Sequence, residues 1–156
     1  MNNIEHAKVA LMGPLVKYMP KGQREALSMA LRGEEAGGIA EIVLRVLATI
    51  EAAPVTYQQD GLGDQAVVHL HYFQGSIDAW ITELDMDGGV SQAFGLQCID
   101  GVPGNAEFGY ISITELIECS VELDLYFTPK TIADVRSNSN MLARMMWADD
   151  AHPNAF

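Results

Sequence analysis

Two histidines two residues apart are the side chains in this sequence best suited to binding a metal ion. His69 and His71 lie in the segment AVVHLHYF (66–73), whose β-branched and aromatic residues predict a strand. Alternate strand residues point to the same face, so both imidazoles could bind zinc if Glu83 or Asp85 supplied a third ligand from a paired strand. No second cluster of histidines or cysteines accompanies them. We therefore expect no metal site and interpret the pair as part of a half-buried strand face.

The other residue types that support catalysis lack the spacing of a known signature. No local motif links Cys98 to a histidine and an orienting acid, and its apolar surroundings predict a buried free thiol. The glycines form neither a phosphate-binding loop nor a dinucleotide-binding fingerprint. We therefore expect a protein that has no cofactor and is not an enzyme.

The carboxylates form the most unusual pattern in the chain. No lysine or arginine occurs between Arg45 and Lys130, whereas this stretch carries thirteen acidic residues. They are Glu51, Asp60, Asp64, Asp78, Glu83, Asp85, Asp87, Asp100, Glu107, Glu115, Glu118, Glu122 and Asp124. Residues 1–52 hold six acids and six bases, so the net charge of −12 arises in the rest of the chain. Such a charge repels nucleic acid and anionic membranes and attracts basic protein surfaces.

The spacing of two groups of acids predicts rows of carboxylates on strands. Glu83, Asp85 and Asp87 follow an i, i+2, i+4 pattern, which in an extended backbone places them on one face about 6.5–7 Å apart. Glu122 and Asp124 repeat this spacing. DNA carries one phosphate per ~3.4 Å of axis in each strand, so such rows could occupy a basic groove that binds nucleic acid. The predicted partner-binding residues are these five acids, with Asp100 and Glu107 as secondary candidates.

Two other interpretations of the surface stay open. Acidic side chains also keep a protein soluble and protect the edge strands of a sheet from pairing with other chains. A binding surface could instead be aromatic, because aromatic residues carry a large share of interface energy. Its anchors on a sheet face would be Tyr72, Trp80, Tyr110 and Tyr126.

The period of the apolar residues changes near residue 54, from helical to strand-like. Residues 1–53 predict a helical segment, residues 54–130 an antiparallel sheet, and residues 131–156 a helical tail. The predicted helices lie within 4–18, 23–31, 39–50, 113–119, from Ile132 onward and at 141–147. The predicted strands are 66–73, 78–84, 93–99, 107–113 and 122–127.

The order of these elements predicts the fold class. Helices come first and strands joined by tight turns follow, which favours an α+β fold with helices packed on an antiparallel sheet of about five strands. The length of 156 residues fits a single domain. No apolar run approaches the ~20 residues of a membrane helix, and the first residues do not form a secretory signal. We therefore expect a cytoplasmic protein.

Four segments between Trp80 and Lys130 resemble a known family. They are WITELD (80–85), QAFGL (92–96), AEFGYISITEL (106–116) and ELDLYFTPK (122–130). In order and spacing they are similar to the motifs of the DUF2958-like proteins, an uncharacterised bacterial family. The resemblance implies a setting among the cargo of plasmids and other mobile elements, and it implies no activity.

Charge and resemblance together predict a class of function. Mobile-element cargo is enriched in proteins that disarm host defence. The prediction is an acidic, non-enzymatic inhibitor of the anti-CRISPR or antirestriction type, a DNA mimic that binds a basic, nucleic-acid-handling host complex and blocks access of nucleic acid. We expect no direct binding to nucleic acid or membrane. The alternatives are an accessory module of plasmid biology that binds through the aromatic face, and a metal-dependent enzyme that uses His69 and His71.

Overall fold

Three helices open the chain in the computed structural model, which describes residues 1–138. They are α1 (Asn3–Met12), α2 (Lys21–Ala30) and α3 (Ala36–Ala52). Asn2 begins α1 with a capping box: its side chain accepts a hydrogen bond from the Glu5 amide at 2.9 Å, and its amide donates to the Glu5 carboxylate at 3.2 Å. The first predicted helix, within 4–18, is too long. Gly13 leaves the helical conformation and Pro14 follows it, so α1 ends at Met12.

Seven strands follow within the described residues, and they form two antiparallel sheets. They are β1 (Val67–Val68), β2 (Leu70–Gln74), β3 (Ile77–Glu83), β4 (Ala93–Cys98), β5 (Glu107–Ile111), β6 (Glu122–Leu123) and β7 (Lys130–Thr131). The larger sheet has five strands in the order β5-β4-β3-β2-β6, and β1 pairs with β7. The predicted α+β fold with a five-stranded antiparallel sheet is confirmed.

Two short helices complete the described chain. Ser112 starts α4 (Ile113–Glu118), because its hydroxyl accepts a hydrogen bond from the Glu115 amide at 3.2 Å. A helical stretch at 132–138 follows Thr131, whose hydroxyl accepts from the Asp134 amide at 3.2 Å. Both starts agree with the sequence prediction. The predicted helix at 141–147 lies outside the described residues.

Two predicted strands are wrong in extent. The segment 66–73 is divided at His69, because Val67 and Val68 pair with β7 while β2 pairs within the larger sheet. The strand predicted at 122–127 has only two residues. There the Asp124 carboxylate accepts a hydrogen bond from the Tyr126 amide at 3.0 Å, and this Asx-type contact turns the chain out of the sheet.

The larger sheet lies between two layers. One face packs on the three N-terminal helices, and Tyr72 is fully buried there with its hydroxyl donating to the Tyr18 carbonyl at 2.6 Å. We call this the helical face. The opposite face buries Trp80 and Leu96 under β1 and the helical stretch at 132–138. This second layer is smaller than the sheet, so the part of the opposite face near β5 stays accessible, with Phe108 and Tyr110 exposed.

Gly95 allows β3 and β4 to approach closely. A Cβ atom at this position would lie 1.9 Å from the Trp80 carbonyl oxygen, so no other residue fits without moving a strand. Next to this contact, Glu83 of β3 pairs directly with Phe94 of β4. The close approach therefore fixes the part of the sheet on which the pocket described below is built.

No helix within residues 1–138 combines the length and the apolar character needed to cross a bilayer.

Candidate functional site

A cavity of about 370 Å³ opens on the opposite face of the sheet, beside the edge strand β5. Its sheet wall is formed by Thr82 and Glu83 of β3, Phe94 of β4, and Phe108 and Tyr110 of β5. The loop that follows α3 forms the facing wall. We call this cavity the Glu83 pocket. Its volume lies in the lower part of the range of small-molecule binding sites.

A β-bulge directs Glu83 into the pocket. Ile81 pairs with Gly95, and the next pair is Glu83 with Phe94, so the register shifts by one residue between them. Regular alternation would place Glu83 on the helical face with Ile81. Because the bulge inserts Thr82 as an extra residue, Thr82 and Glu83 both line the pocket.

The Glu83 side chain is deeply buried, with 4% of the residue exposed. Its carboxylate accepts hydrogen bonds from the Thr82 hydroxyl at 2.9 Å and from the Gln59 backbone amide at 3.3 Å, and the Thr82 hydroxyl also lies 3.1 Å from the Phe94 carbonyl oxygen. Among residues 1–138, no Lys, Arg or His nitrogen lies within 4.0 Å of it. Buried carboxylates are normally paired with a cation or fully hydrogen-bonded. This one offers about four lone-pair sites and uses two, so it can accept a further donor.

Gln59 holds the loop wall against the sheet. Its side-chain amide donates to the Val67 and Thr82 carbonyls, each at 2.8 Å, and its carbonyl accepts from the Val67 amide at 2.7 Å. Val55 forms an isolated parallel bridge with Leu84 at the end of β3. These contacts attach the loop at both ends of the pocket, so the cavity is preformed.

Tyr57 at the rim adopts a backbone conformation that is rare for a residue with a side chain. Its φ is +78°, in the left-handed region that mainly glycine and asparagine occupy. The hydroxyl groups of Tyr57 and Tyr110 are 2.9 Å apart, so a hydrogen bond joins the loop to β5 across the pocket mouth. Such strain persists where the surrounding structure enforces it, and it concentrates at functional sites.

Aromatic rings form the remaining wall. The Phe94 and Phe108 rings are nearly parallel, with centroids 6.3 Å apart and an interplanar angle of 10°. The Tyr110 ring meets Phe94 edge-on, at 5.7 Å and 82°. The hydrogen bond with Tyr57 raises the pKa of Tyr110, and the nearby negative charges of Asp60 and Glu83 add to this effect. The pocket therefore combines an aromatic surface with a negative potential.

The predicted row of Glu83, Asp85 and Asp87 does not form. The bulge turns Glu83 into the pocket, and Asp85 lies past the end of β3 with 9% of its surface exposed. The Asp85 carboxylate accepts from the Asp87 amide at 3.0 Å and closes a turn. Burial, followed by the charge of Asp85, raises the pKa of Tyr18 in the helical layer. Only Asp87 of the three is exposed.

The second predicted row is also absent, because Glu122 and Asp124 have different surroundings. Glu122 is exposed on the edge strand β6, whereas Asp124 is half-buried and its carboxylate lies 3.0 Å from Nδ1 of His71. Asp100 and Glu107 are exposed and line a second cavity of about 420 Å³ that also borders Phe108. Hydrogen bonds from Asn105 and from the Val102 amide lower the pKa of Asp100.

His71 is held between two carboxylates and does not form a pair with His69. Its Nε2 lies 2.7 Å from Asp78 and its Nδ1 3.0 Å from Asp124, while its ring stacks on Trp80 at 5.3 Å and 6°. Each ring nitrogen of His71 therefore faces a carboxylate oxygen.

His69 lies between β1 and β2, and burial lowers its pKa. Within residues 1–138, no group of three or more His, Cys, Asp or Glu side chains could hold a metal ion. The two histidines of the metal hypothesis therefore have separate surroundings, and both ring nitrogens of His71 are already engaged.

The predicted aromatic face is not a continuous surface. Tyr72 is fully buried on the helical face, and Trp80 is 8% exposed beneath the second layer, so neither can anchor a partner. Tyr126 is exposed in the turn after β6. Of the four proposed anchors, Tyr110 alone belongs to the Glu83 pocket.

Several pocket residues were not predicted as site residues from the sequence. They are Tyr57, Gln59, Asp60, Thr82, Phe94 and Phe108. The segment VTYQQDGLGD (55–64) contains many turn-forming residues and predicts only a loop. No local pattern marks the bulge at Thr82, because it depends on the pairing of β3 with β4.

Cys98 is buried, as predicted for a free thiol, and burial is the main cause of its raised pKa.

Comparisons of the chain with models of protein families, with curated proteins and with solved structures found no match. The resemblance to the DUF2958-like proteins therefore stays a prediction.

Proposed function

We propose that this protein is a non-enzymatic, acidic binding protein that docks on a basic protein surface through the β5 side of its sheet. The partner class is a nucleic-acid-handling host complex, and the consequence of docking is that nucleic acid loses access to it. The anti-CRISPR or antirestriction setting predicted from charge and resemblance is the concrete form of this proposal.

The observation that carries the proposal is the uncompensated negative charge around β5. Glu83 and Asp60 line the pocket on one side of this edge strand, and Asp100 and Glu107 line the cavity that also borders Phe108. None of these four acids forms an ion pair with a residue of the described chain. A surface of this kind favours association with a cationic partner and accelerates the encounter.

Seven of the eight bases of the described chain lie away from β5, and the exception is Arg136, whose guanidinium lies over the Phe108 ring 5.6 Å from its centroid. Six belong to the N-terminal helical layer and its turns, and the other two are Lys130 of β7 and Arg136 of the helical stretch at 132–138. Arg136 is engaged with Asp64 at 3.2 Å. The charge is therefore asymmetric, and this asymmetry supports a defined docking side over a uniform role in solubility.

The experiment is a displacement assay on a captured partner. The protein is immobilised, a bacterial lysate is passed over it at low ionic strength, and the retained complex is identified and purified. Nucleic-acid binding by this complex is then measured at increasing concentrations of the protein. We expect competitive loss of nucleic-acid binding that weakens as salt is added. A captured complex that keeps its nucleic acid at saturating protein, or no salt-sensitive capture at all, contradicts the proposal.

A further inference from the structure

We propose that the Glu83 pocket receives a side-chain cation of the basic partner, with an arginine guanidinium as its best ligand. This inference rests on the proposed function, because it names the chemical group that the docking surface recognises.

The buried carboxylate of Glu83 has no cationic partner within residues 1–138. Glu83 is 4% exposed, and its two hydrogen bonds come from neutral donors, the Thr82 hydroxyl and the Gln59 amide. The oxygen atoms retain free lone pairs, and a guanidinium can donate two parallel N–H bonds to a carboxylate. A cation entering the pocket would supply the opposite charge that a buried carboxylate normally has.

The walls of the pocket suit a planar cation. Phe94, Phe108 and Tyr110 surround the pocket with aromatic faces and edges, and Asp60 adds a second negative charge. A guanidinium stacks on aromatic rings and is more weakly hydrated than an ammonium group, so such walls favour arginine over lysine.

One contact between a guanidinium and an aromatic ring already occurs at a residue that lines the pocket. The guanidinium of Arg136 lies over the Phe108 ring, 5.6 Å from its centroid, while its Nε donates to Asp64 at 3.2 Å. Phe108 can therefore hold a guanidinium on one side. Arg136 is paired with Asp64 and not with Glu83. No Lys, Arg or His nitrogen of residues 1–138 lies within 4.0 Å of the Glu83 carboxylate, so none of them competes there with the cation of a partner.

The test is a titration of the isotope-labelled full chain with N-acetyl-L-arginine amide, followed by NMR. The matched ligand is N-acetyl-L-citrulline amide, which keeps the size of arginine and lacks its charge. We expect arginine to shift the amide signals of Gln59, Glu83 and Tyr110, and citrulline to leave them in place.

E83Q, which preserves the shape of the side chain, should weaken binding by about tenfold or more. F108L should weaken it also, because one ring is lost. E41Q on the distant face of α3 serves as the control with unchanged affinity.

Three results would overturn the inference: equal shifts with citrulline, an unchanged affinity in E83Q, or a gain of about tenfold in R136Q or R144Q. The last would mean that an arginine of the chain itself occupies the pocket.

The inference and the proposed function fail separately. If a basic partner binds E83Q as well as the parent, the pocket assignment is lost while docking stands. If arginine amide binds as expected and no basic partner is found, the site stands and the docking function is lost.

Discussion

At the level of single residues, the pocket depends on one strained backbone conformation and one buried carboxylate. Tyr57 has a φ of +78°, and Glu83 is a buried carboxylate whose only hydrogen-bond donors in the described chain are neutral groups. Both are unfavourable for stability and are maintained by their neighbours. Gln59 fixes the loop, and Tyr110 bonds to the Tyr57 hydroxyl. We interpret this stored strain as the result of selection for a preformed site.

The strain at Tyr57 can be measured by comparing two small side chains. Tyr57→Gly and Tyr57→Ala both remove the ring and its hydrogen bond, and they differ only in the Cβ atom. Because φ is positive, we expect the glycine variant to be more stable to unfolding than the alanine variant by about 1 kcal/mol. Urea denaturation of both proteins gives this difference. Equal stabilities would show that the backbone at this position is relaxed in solution.

Tyr72 predicts a pH dependence of stability. Burial, with a further contribution from Tyr18, raises the pKa of Tyr72 well above 10.0. As the pH rises through 10.0, the unfolded chain releases this proton while the folded chain keeps it, so the free energy of unfolding falls. Tyr72→Phe removes this contribution and should show a shallower decline at alkaline pH.

At neutral pH the same variant should be less stable by about 1–3 kcal/mol, because the Tyr18 carbonyl loses its buried donor. Urea unfolding between about pH 8 and about pH 10.5 tests both parts. Parallel declines for parent and variant would contradict the assignment.

At the level of elements, the sequence was informative where the determining contacts are local. The apolar stripe of α3 and the Ser112 cap of α4 were predictable from spacing alone. The bulge at Thr82 and the division of the strand at His69 were not, because each depends on pairing with a distant strand. The turn at Asp124 escaped prediction because its residues alternate like a strand. These non-local features decide where the acids point, so the fold was predictable and the site was not.

The contact between β3 and β4 yields a prediction about the sheet. Gly95→Ala places a Cβ atom 1.9 Å from the Trp80 carbonyl oxygen, so the strands must separate. We expect a loss of about 3 kcal/mol or more in the free energy of unfolding. Gly109 pairs directly with Gly95 from β5 and is the matched control, because a Cβ atom added there would meet nothing within 4 Å.

Gly109→Ala should change stability by less than about 1 kcal/mol. Chemical denaturation of the two variants measures the free energy of unfolding that each substitution costs. If both are equally stable, the close approach at Gly95 does not limit the packing of the sheet.

At the level of the whole molecule, the fold separates charge by layer. The helical layer carries six of the basic residues, while the chain between Arg45 and Lys130 contributes thirteen acids and no base. Some of these acids have structural roles, such as Asp85 in its turn and Asp124 against His71. Asp100 also closes a turn, because it accepts from the Val102 amide and from Asn105. The exposed Asp60 and Glu107 have no side-chain hydrogen bond or ion pair within residues 1–138, and they are the acids that we assign first to partner binding.

The most direct test of the docking claim is the salt dependence of partner affinity for two variants of equal charge. Asp60→Lys with Glu107→Lys alters the β5 side, and Glu34→Lys with Glu41→Lys alters exposed positions of the helical layer. Each pair changes the formal charge by +4, from −12 to −8. We predict that the β5 pair weakens binding by about tenfold or more at low salt and flattens its dependence on ionic strength, whereas the helical pair behaves almost as the parent does. Equal losses in the two variants would contradict a defined docking side and would leave only the net charge as the source of binding.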